Sequence, residues 1–403
     1  MSIRHAAIIP LIGGMPMGAE RAFGKPPDAL ISYEAFLPNE KHLRHWYDSR
    51  GVDVPYYVLD EGGVVPGRFD VVSSTCPCCG LSTISPGYGD DNPNNKWLTT
   101  CAEYVLGTLR PEVYFGENAP GFAGKIGKTF REAVYRIARD NGYTMSIYRT
   151  KSLLHGQPQV RERSFYFAWR GDRVPILDWY ERAYPKIEDV IMGVKSNFQT
   201  ERINPRTPSR DDPIYRYILE VLHPGMTHAE FSRSQPIVTN LKQMDVMSYV
   251  ENAGVSQEQL AEWFRAQGLE REAVKSDKRA AKLAAGMGFM KRNTVIPRDH
   301  IGAFVAHYPT MLAHPVEDRY INFREALTIM GMPDDFELLD PYKSYNHICQ
   351  NVPVQTASDM HAEVLAHLEG RRDTAASSML FQYNANKTCR FEDEPSTIEE
   401  FML

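Results

Sequence analysis

"HAAIIPLIGGMPMGAERAF", residues 5–23, runs from an apolar stretch through a glycine pair into a helix-like segment. A strand, a tight turn and a helix in that order form the repeating unit of a doubly wound sheet, and the next hundred residues repeat it. "DALISYE" and "RFDVVSST" read as strands, "CAEYVLGTL" as a helix and "PEVYFGEN" as a strand ending in polar residues. "TFREAVYRIARDNGY" is an amphipathic helix closed by Asn141-Gly142. This alternation predicts an α/β fold on a mostly parallel, doubly wound sheet. Ligands in such sheets bind at the carboxyl ends of the strands. The polar punctuation "GG", "E", "CPCCG" and "EN" falls at those ends.

At 403 residues the chain suits one large domain and a smaller one. Its 43% hydrophobic and 24% charged residues are ordinary for a globular protein. The net charge of −6 excludes a surface coated in cations, so any nucleic-acid contact must use a local basic groove. Six cysteines, spread thinly outside one cluster, do not form a disulfide framework in a chain of this size, and a reduced cytoplasmic compartment is expected. The N-terminal "AAIIPLIGGMPMG" has the apolarity of a signal-peptide core, but Pro10 and Pro16 interrupt it. With no apolar run of about eighteen residues, no membrane span is predicted.

The rhythm changes near residue 175. "NFQTERINPRTPSRDDPIYRY" is rich in Pro, Arg and Asp, and the stretch to about 300 mixes short helical pieces with loops. Ser256 and Gln259 make a capping box before "QLAEWFRAQG". "KSDKRAAKLAAGMGFMKRN" carries Lys275, Lys278, Arg279, Lys282, Lys291 and Arg292, either a solvated helix face or a contact for an anion. After 300, "NFREALTIMGMPDDFELL" and "SDMHAEVLAHLEG" read as helices of the first domain again. The expected division is 1–174, 175–300 and a return to the first domain over 301–403.

"STCPCCGLS", residues 74–82, places three cysteines within four positions after a strand. A zinc site needs four ligands, usually as two separated pairs, and here no second pair exists, so no metal is expected. Buried packing is the plainer alternative, since free cysteine behaves as a small hydrophobe. Against it, Pro77 and Gly80 break the strand, and a thiol in a strand-end loop is accessible and tunable by nearby cations.

The "PCCGLS" element at 77–82 resembles the Pro-Cys-x-x-Phe-Ser element of cytosine-C5 DNA methyltransferases, with Leu81 in place of Phe. "GEN" at 116–118 resembles their Glu-Asn-Val element, and "HGQPQVRERSFYFAWR" at 155–170 their Gly-x-Pro-Gln-x-Arg-x-Arg element. "RYINFREALTIMGMPDDFELL" at 319–339 is similar to the Arg-Glu-Ala helix, and "CQNVPVQTA" at 349–357 to the Gly-Asn-Ala-Val-Pro element. The five occur in the family's order, with a variable region in its usual place.

The resemblance implies a class I methyltransferase sheet with a target-recognition domain, acting on cytosine extruded from double-stranded DNA. Cys78 is then the thiolate that adds at carbon 6, which makes carbon 5 electron-rich enough to accept a methyl group. Glu117 is the acid beside ring nitrogen 3, and Arg161 and Arg163 hold the base carbonyl or a phosphate and stabilise the thiolate. Gln159 orders the backbone around them. S-adenosylmethionine is the implied methyl donor. Gly13 and Gly14 would admit its amino-acid end. Glu34, twenty residues past Gly14, would accept from the ribose hydroxyls, and Asp60 would contact adenine. Pro77, Leu98 and Asn351 carry over as pocket residues. The basic stretch at 275–292 with Arg202, Arg206 and Arg210 would serve phosphates or base edges.

Two departures stand out. The family's Phe-x-Gly-x-Gly-Gly turn is "IPLIGG" here, so Ile9 replaces the ring that covers the cofactor and Leu11 the first glycine. Gln350 stands where glycine is usual. The leading expectation is a monomeric DNA (cytosine-5-)-methyltransferase of bacterial or phage type, of the kind found in restriction-modification. The alternatives are a catalytically silent DNA-binding relative and an RNA cytosine-C5 methyltransferase.

Overall fold

A computed structural model of the chain describes residues 2–60, 64–82, 87–196, 199–234, 245–289, 293–297, 299–305, 308–384 and, for the backbone, 388–392. Lys291 and Arg292 lie outside the described residues. The strands begin with β1 (His5–Ile8), β2 (Ala29–Ser32), β3 (Tyr56–Val58), β4 (Val71–Ser74), β5 (Val113–Asn118) and β6 (Tyr143–Lys151). They continue with β7 (Gln159–Val160), β8 (Glu162–Arg170), β9 (Val174–Pro175), β10 (Ile301–Gly302), β11 (Thr374–Ala375), β12 (Met379–Tyr383) and β13 (Thr388–Glu392). Nine of them form one sheet in the order β13-β12-β6-β8-β5-β4-β1-β2-β3. Pairing is parallel throughout except for β8, antiparallel to both β5 and β6, and β13, antiparallel to β12. The mostly parallel α/β expectation therefore holds.

The central strands are apolar on both faces because both are covered. Every residue of β1, β4 and β5 is buried. On one side α3 (Lys96–Tyr104) and α4 (Lys128–Asp140) bury Leu98, Cys101 and Val134 against Val72, Tyr114 and Tyr166. On the other, α1 (Gly14–Phe23) and the helix Val354–Leu368 pack Met15, Met360 and Val364 against Val71, Val113 and Phe167.

Three local expectations are revised. The run "HAAIIPLI" is a strand only to Ile8, because Ile9 and Leu11 both take φ of 52°, where an extended ladder cannot continue. Each left-handed non-glycine residue costs about 1–2 kcal/mol, so this turn is strained. "CAEYVLGTL" is helical, but it widens into a π-helical turn over Val105–Leu109 that ends at left-handed Arg110. "NFREALTIMGMPDDFELL" is helical only over Phe323–Ile329, since Gly331 takes φ of 73° and Pro333 follows.

Within 175–300 the described regular structure is mainly helical. The helices Pro213–Tyr217, His228–Ser234, Val246–Asn252, Gln257–Ala266 and Glu270–Ala284 share a core of Tyr215, Ile218, Phe231, Met247, Leu260 and Phe264. Both hydrogen bonds of the Ser256/Gln259 capping box are present. Ile187, Ile191 and Ile203 instead pack with Leu30, Leu43 and Phe323, beside the main sheet.

Candidate active site

β4 delivers the chain to the cysteine cluster at the carboxyl edge of the sheet. The loop is braced from the segment before α3. Asn95 Nδ2 donates to the Gly89 carbonyl at 2.8 Å, and the Gly89 amide donates to the Gly80 carbonyl at 2.8 Å. The three thiols are thereby separated. Cys76 is buried with its sulfur 3.5 Å from the Trp97 carbonyl, and Cys79 Sγ accepts from Asn94 Nδ2 at 3.1 Å. Cys78, half-buried, is the thiol that feels Arg163, Glu117 and Arg161.

β5 brings Glu117 to the same edge, and antiparallel pairing with β8 sets it opposite Phe165. The preceding Gly116 permits this approach: a Cβ there would fall 2.2 Å from the Tyr166 hydroxyl and 2.3 Å from Ser74 Oγ. Glu117 is only 2% exposed, and its Oε1 lies 2.6 Å from Arg163 Nε. The pair is an ion contact rather than an aligned hydrogen bond, since neither atom has a partner of good geometry. That leaves polar capacity in a buried pocket for an incoming group to complete.

Electrostatics follow from this packing. Burial pushes the Glu117 carboxyl up, with Arg163 and then Arg161 opposing it. Burial likewise pushes the Cys78 thiol up, with Arg163 the largest opposing charge. Arg163 and, more weakly, Arg161 are the groups that favour its ionisation.

Arg161 and Arg163 do not play matching parts. Arg163 stays at the pocket beside Glu117, and its Nη1 donates to the Glu162 carbonyl at 2.6 Å. Arg161, 1% exposed, lies between β7 and β8 and donates to the carbonyls of Phe304 at 3.0 Å and Cys349 at 2.8 Å. It ties the pocket to two distant segments while its charge still reaches Cys78. Gln159 is fully buried and donates to Met330 Sδ at 3.4 Å, consistent with an ordering role.

The second half of the site lies at the ends of β1, β2 and β3. Gly13 takes φ of 108°, and the Gly14 amide donates to Asn351 Oδ1 at 2.8 Å. A Cβ on Gly14 would lie 1.9 Å from the Val352 carbonyl oxygen, so the "NVP" segment closes directly on this turn. No side chain caps the N-terminus of α1. Glu34 is exposed past β2, and its amide donates to Asp60 Oδ2 at 2.8 Å, so Asp60 shapes the Glu34 turn. Leu98 is buried on α3 and Pro77 half-buried beside Cys78.

Several contributors escaped the sequence reading. The Trp97 ring lies 4.7 Å from Tyr33 and 4.9 Å from Phe36, giving this cleft an aromatic cluster. Their positions flanking Glu34 and preceding Leu98 were the available signal. Glu40 is a fully buried carboxyl on α2 (Leu37–Ser49), and it shares the apolar stripe of Phe36, Leu43 and Tyr47, where a charge is unexpected. Among the described residues no three His, Cys, Asp or Glu side chains cluster closely enough to hold a metal, and no helix is long and apolar enough to cross a membrane.

The description C-5 cytosine-specific DNA methylase matches residues 32–365, most of the chain, including Cys78, Glu117, Arg161 and Arg163 but not Gly13 and Gly14. The chain belongs to that family. A curated relative, Type II methyltransferase M.AgeI from Thalassovita gelatinovora, is 29% identical over 121 residues, which is 30% of this chain and 28% of that protein. Two solved structures share the fold of this methylase. A prophage-encoded E. coli protein, named as a candidate DNA modification methyltransferase, superposes with a TM-score of 0.55 at 15% identity, covering 91% of this chain and 100% of the other. The Entamoeba histolytica methyltransferase EhMeth gives 0.53 at 14% identity, covering 91% and 99%. Membership implies S-adenosylmethionine as methyl donor, and the cleft suits it: an uncapped helix start, an exposed carboxylate and aromatic faces meet at one strand edge.

Proposed function

We propose that this chain is a DNA (cytosine-5-)-methyltransferase that acts on cytosine extruded from duplex DNA. The observation that carries this reading is the convergence of Cys78, Glu117 and Arg163 in one partly buried pocket. Arg163 favours the thiolate, which forms a bond to carbon 6 of the base and pushes electron density toward ring nitrogen 3. Glu117, its carboxyl raised by burial, donates a proton to that nitrogen, and carbon 5 becomes the nucleophile for the methyl group. A water molecule then takes the carbon 5 proton, ring nitrogen 3 returns its proton to Glu117, and the freed electron pair expels the thiolate and restores the ring. S-adenosylmethionine would supply the methyl group from the adjoining cleft, with S-adenosylhomocysteine as the leaving group. Gly13 and Gly14 would admit its amino-acid end, Glu34 its ribose, and Pro77 and Leu98 would line the pocket, with Asn351 holding the turn through Gly14.

The helical cluster within 175–300 is the part of the chain we assign to target recognition. Arg271, Lys275, Lys278 and Lys282 recur at intervals of four, three and four along the helix Glu270–Ala284, so they share one face. A cationic row on a chain of net charge −6 suits DNA phosphates.

The test is covalent trapping. The protein is incubated with S-adenosylmethionine and a mixed-sequence duplex DNA library containing 5-fluorocytosine, with the corresponding RNA as a second substrate. An adduct on DNA in wild type but not in Cys78→Ser is expected. An adduct on RNA alone would transfer the reading to an RNA substrate. No adduct on either, from folded protein, would favour a silent relative.

A further inference from the structure

The last turn of the helix Pro341–Gln350 is a junction. The Cys349 carbonyl accepts from Arg161 Nη2 at 2.8 Å, and Asn351, just past the helix, accepts from the Gly14 amide at 2.8 Å. Two further side chains of the same turn reach α2, the helix that begins shortly after Glu34. Asn39 Nδ2 donates to Gln350 Oε1 at 2.9 Å, and His42 Nε2 lies 3.2 Å from His347 Nδ1. Neither contact has a part in the methyl transfer itself. A glycine in place of Gln350, as the family's pattern has it, could not make the first of them.

A third hydrogen bond fixes where the protons of the ring pair lie. The Leu339 amide donates to His42 Nδ1 at 2.9 Å, so the His42 proton sits on Nε2 and is donated to His347 Nδ1. The His347 proton then sits on its own Nε2, and both rings are neutral. Neither can take a second proton in place. One on His42 Nδ1 would displace the Leu339 amide, and one on His347 Nδ1 would set two N–H groups against each other.

The surroundings act in the same direction. His42 is fully buried and His347 half-buried. Burial, then His347 and Lys41, push His42 down to about 3, with Asp340 opposing, while burial and then Lys41 push His347 down. Lys41 and Asp340 pair at 3.3 Å, and His45, the other charged neighbour on α2, faces Glu337 at 3.3 Å. A charge on His45 would strengthen that contact, so His45 opposes release of the helix in acid.

We propose that His347 and Gln350 are positioning residues for Asn351, and that acid releases their hold: with both rings neutral the helix stays on α2 and Asn351 meets Gly14, and a proton on either ring frees it. The assignment rests on the reading that the adjoining cleft takes S-adenosylmethionine. The closed contact binds fewer protons than the released one, so it is fully held above about pH 6.5 and weakens as pH falls. Each released imidazole of pKa about 6.5 shifts the balance roughly tenfold between pH 7.5 and 5.5, and two shift it roughly a hundredfold.

Hydrogen exchange of the full chain, corrected for the intrinsic rate at each pH, reads that balance. In wild type, protection of residues 336–352 should fall roughly a hundredfold from pH 7.5 to 5.5, while the helix Gln257–Ala266 stays within about threefold. His347→Leu leaves one titrating ring, so the fall shrinks to roughly tenfold, and calorimetry at pH 7.5 should show S-adenosylhomocysteine bound several-fold more weakly. His347→Asn returns an acceptor near the Nδ1 position and should restore that affinity to within about threefold of wild type, with the fall still near tenfold. Gln350→Ala should lower protection a few fold at both pH values and leave their ratio unchanged.

A fall as deep in His347→Leu as in wild type, or as deep in Gln257–Ala266 as in 336–352, would overturn the proposal, because general acid destabilisation would then account for it. Equal affinity of wild type and His347→Leu for S-adenosylhomocysteine would overturn the positioning role. A wild type that does not bind S-adenosylhomocysteine, with exchange responding as expected, would count against the cofactor reading alone.

Discussion

The two halves of the site solve the same problem differently. At the ends of β4 and β5 the proposed function rests on side chains: a thiol, a carboxyl and a guanidinium converge, with Glu117 and Arg163 2.6 Å apart. At the end of β1 it rests on the backbone, and there the residue types depart from those of the family. Ile9 and Leu11 occupy left-handed positions that favour glycine, yet the turn still delivers Gly13 at φ of 108° and Gly14 against Asn351. A chemical role tolerates no substitute because it depends on a particular pKa and a particular atom. A backbone shape can be kept by any set of contacts that offsets its strain.

Replacement of Glu117 tests the first half most severely. Glu117→Gln keeps the shape but cannot donate an acidic proton, and a fall of roughly 10²–10⁴-fold in methyl transfer to duplex DNA is expected, read in single turnover. A variant within a few fold of wild type would mean that the acid at nitrogen 3 is some other group, and the contrast between the halves would lose its stricter side.

Gly14→Ala tests where the tolerance of the second half ends. The new Cβ would press on the Val352 carbonyl, 1.9 Å away, and displace the segment that carries Asn351. Destabilisation of about 1–3 kcal/mol in denaturant unfolding is expected from such overpacking. No change in midpoint would show that the closure of 351–353 on the turn is loose, and that this half tolerates change even at its glycines.

The gentlest probe is the reactivity of Cys78. Its thiol is raised by burial, so alkylation by iodoacetamide at neutral pH should run several-fold slower than for a free cysteine of pKa about 8.5. The sign follows from the thiolate being the nucleophile. The rate climbs as pH rises through and beyond the ordinary thiol range, and in Arg163→Leu the whole profile moves to still higher pH. A profile unmoved by Arg163→Leu would remove that guanidinium from thiolate stabilisation.

Much of this was legible in advance, and the limits have a physical pattern. Periodicity located β1, β2, β4, β5, α1 and α4, because apolar spacing reports directly which face is covered. It overran at Ile9 and at Ile329, where a backbone dihedral rather than hydrophobicity ended the element. The family resemblance implied one shared task for Arg161 and Arg163, holding the base carbonyl or a phosphate and stabilising the thiolate. The structure gives them different work, since Arg161 spends its donors on the carbonyls of Phe304 and Cys349, segments far away in sequence. Glu40 was passed over because one acidic residue in "FLPNEKHLRHWYDS" looks like a solvated position until the burial of its neighbours is known.

The sequence by itself determined the residue types and their order: a strand and helix alternation that admits one kind of sheet, and a thiol, an acid and two guanidiniums spaced to fall at its strand ends. Those follow from local periodicity and from chemistry that each side chain carries with it. Tertiary structure alone decided how the three thiols are held apart, which arginine stays beside Glu117, and how Asn351 meets Gly14 across 337 positions of chain. Burial and pairing set a group's protonation and a turn's strain, and both depend on neighbours that only folding brings together.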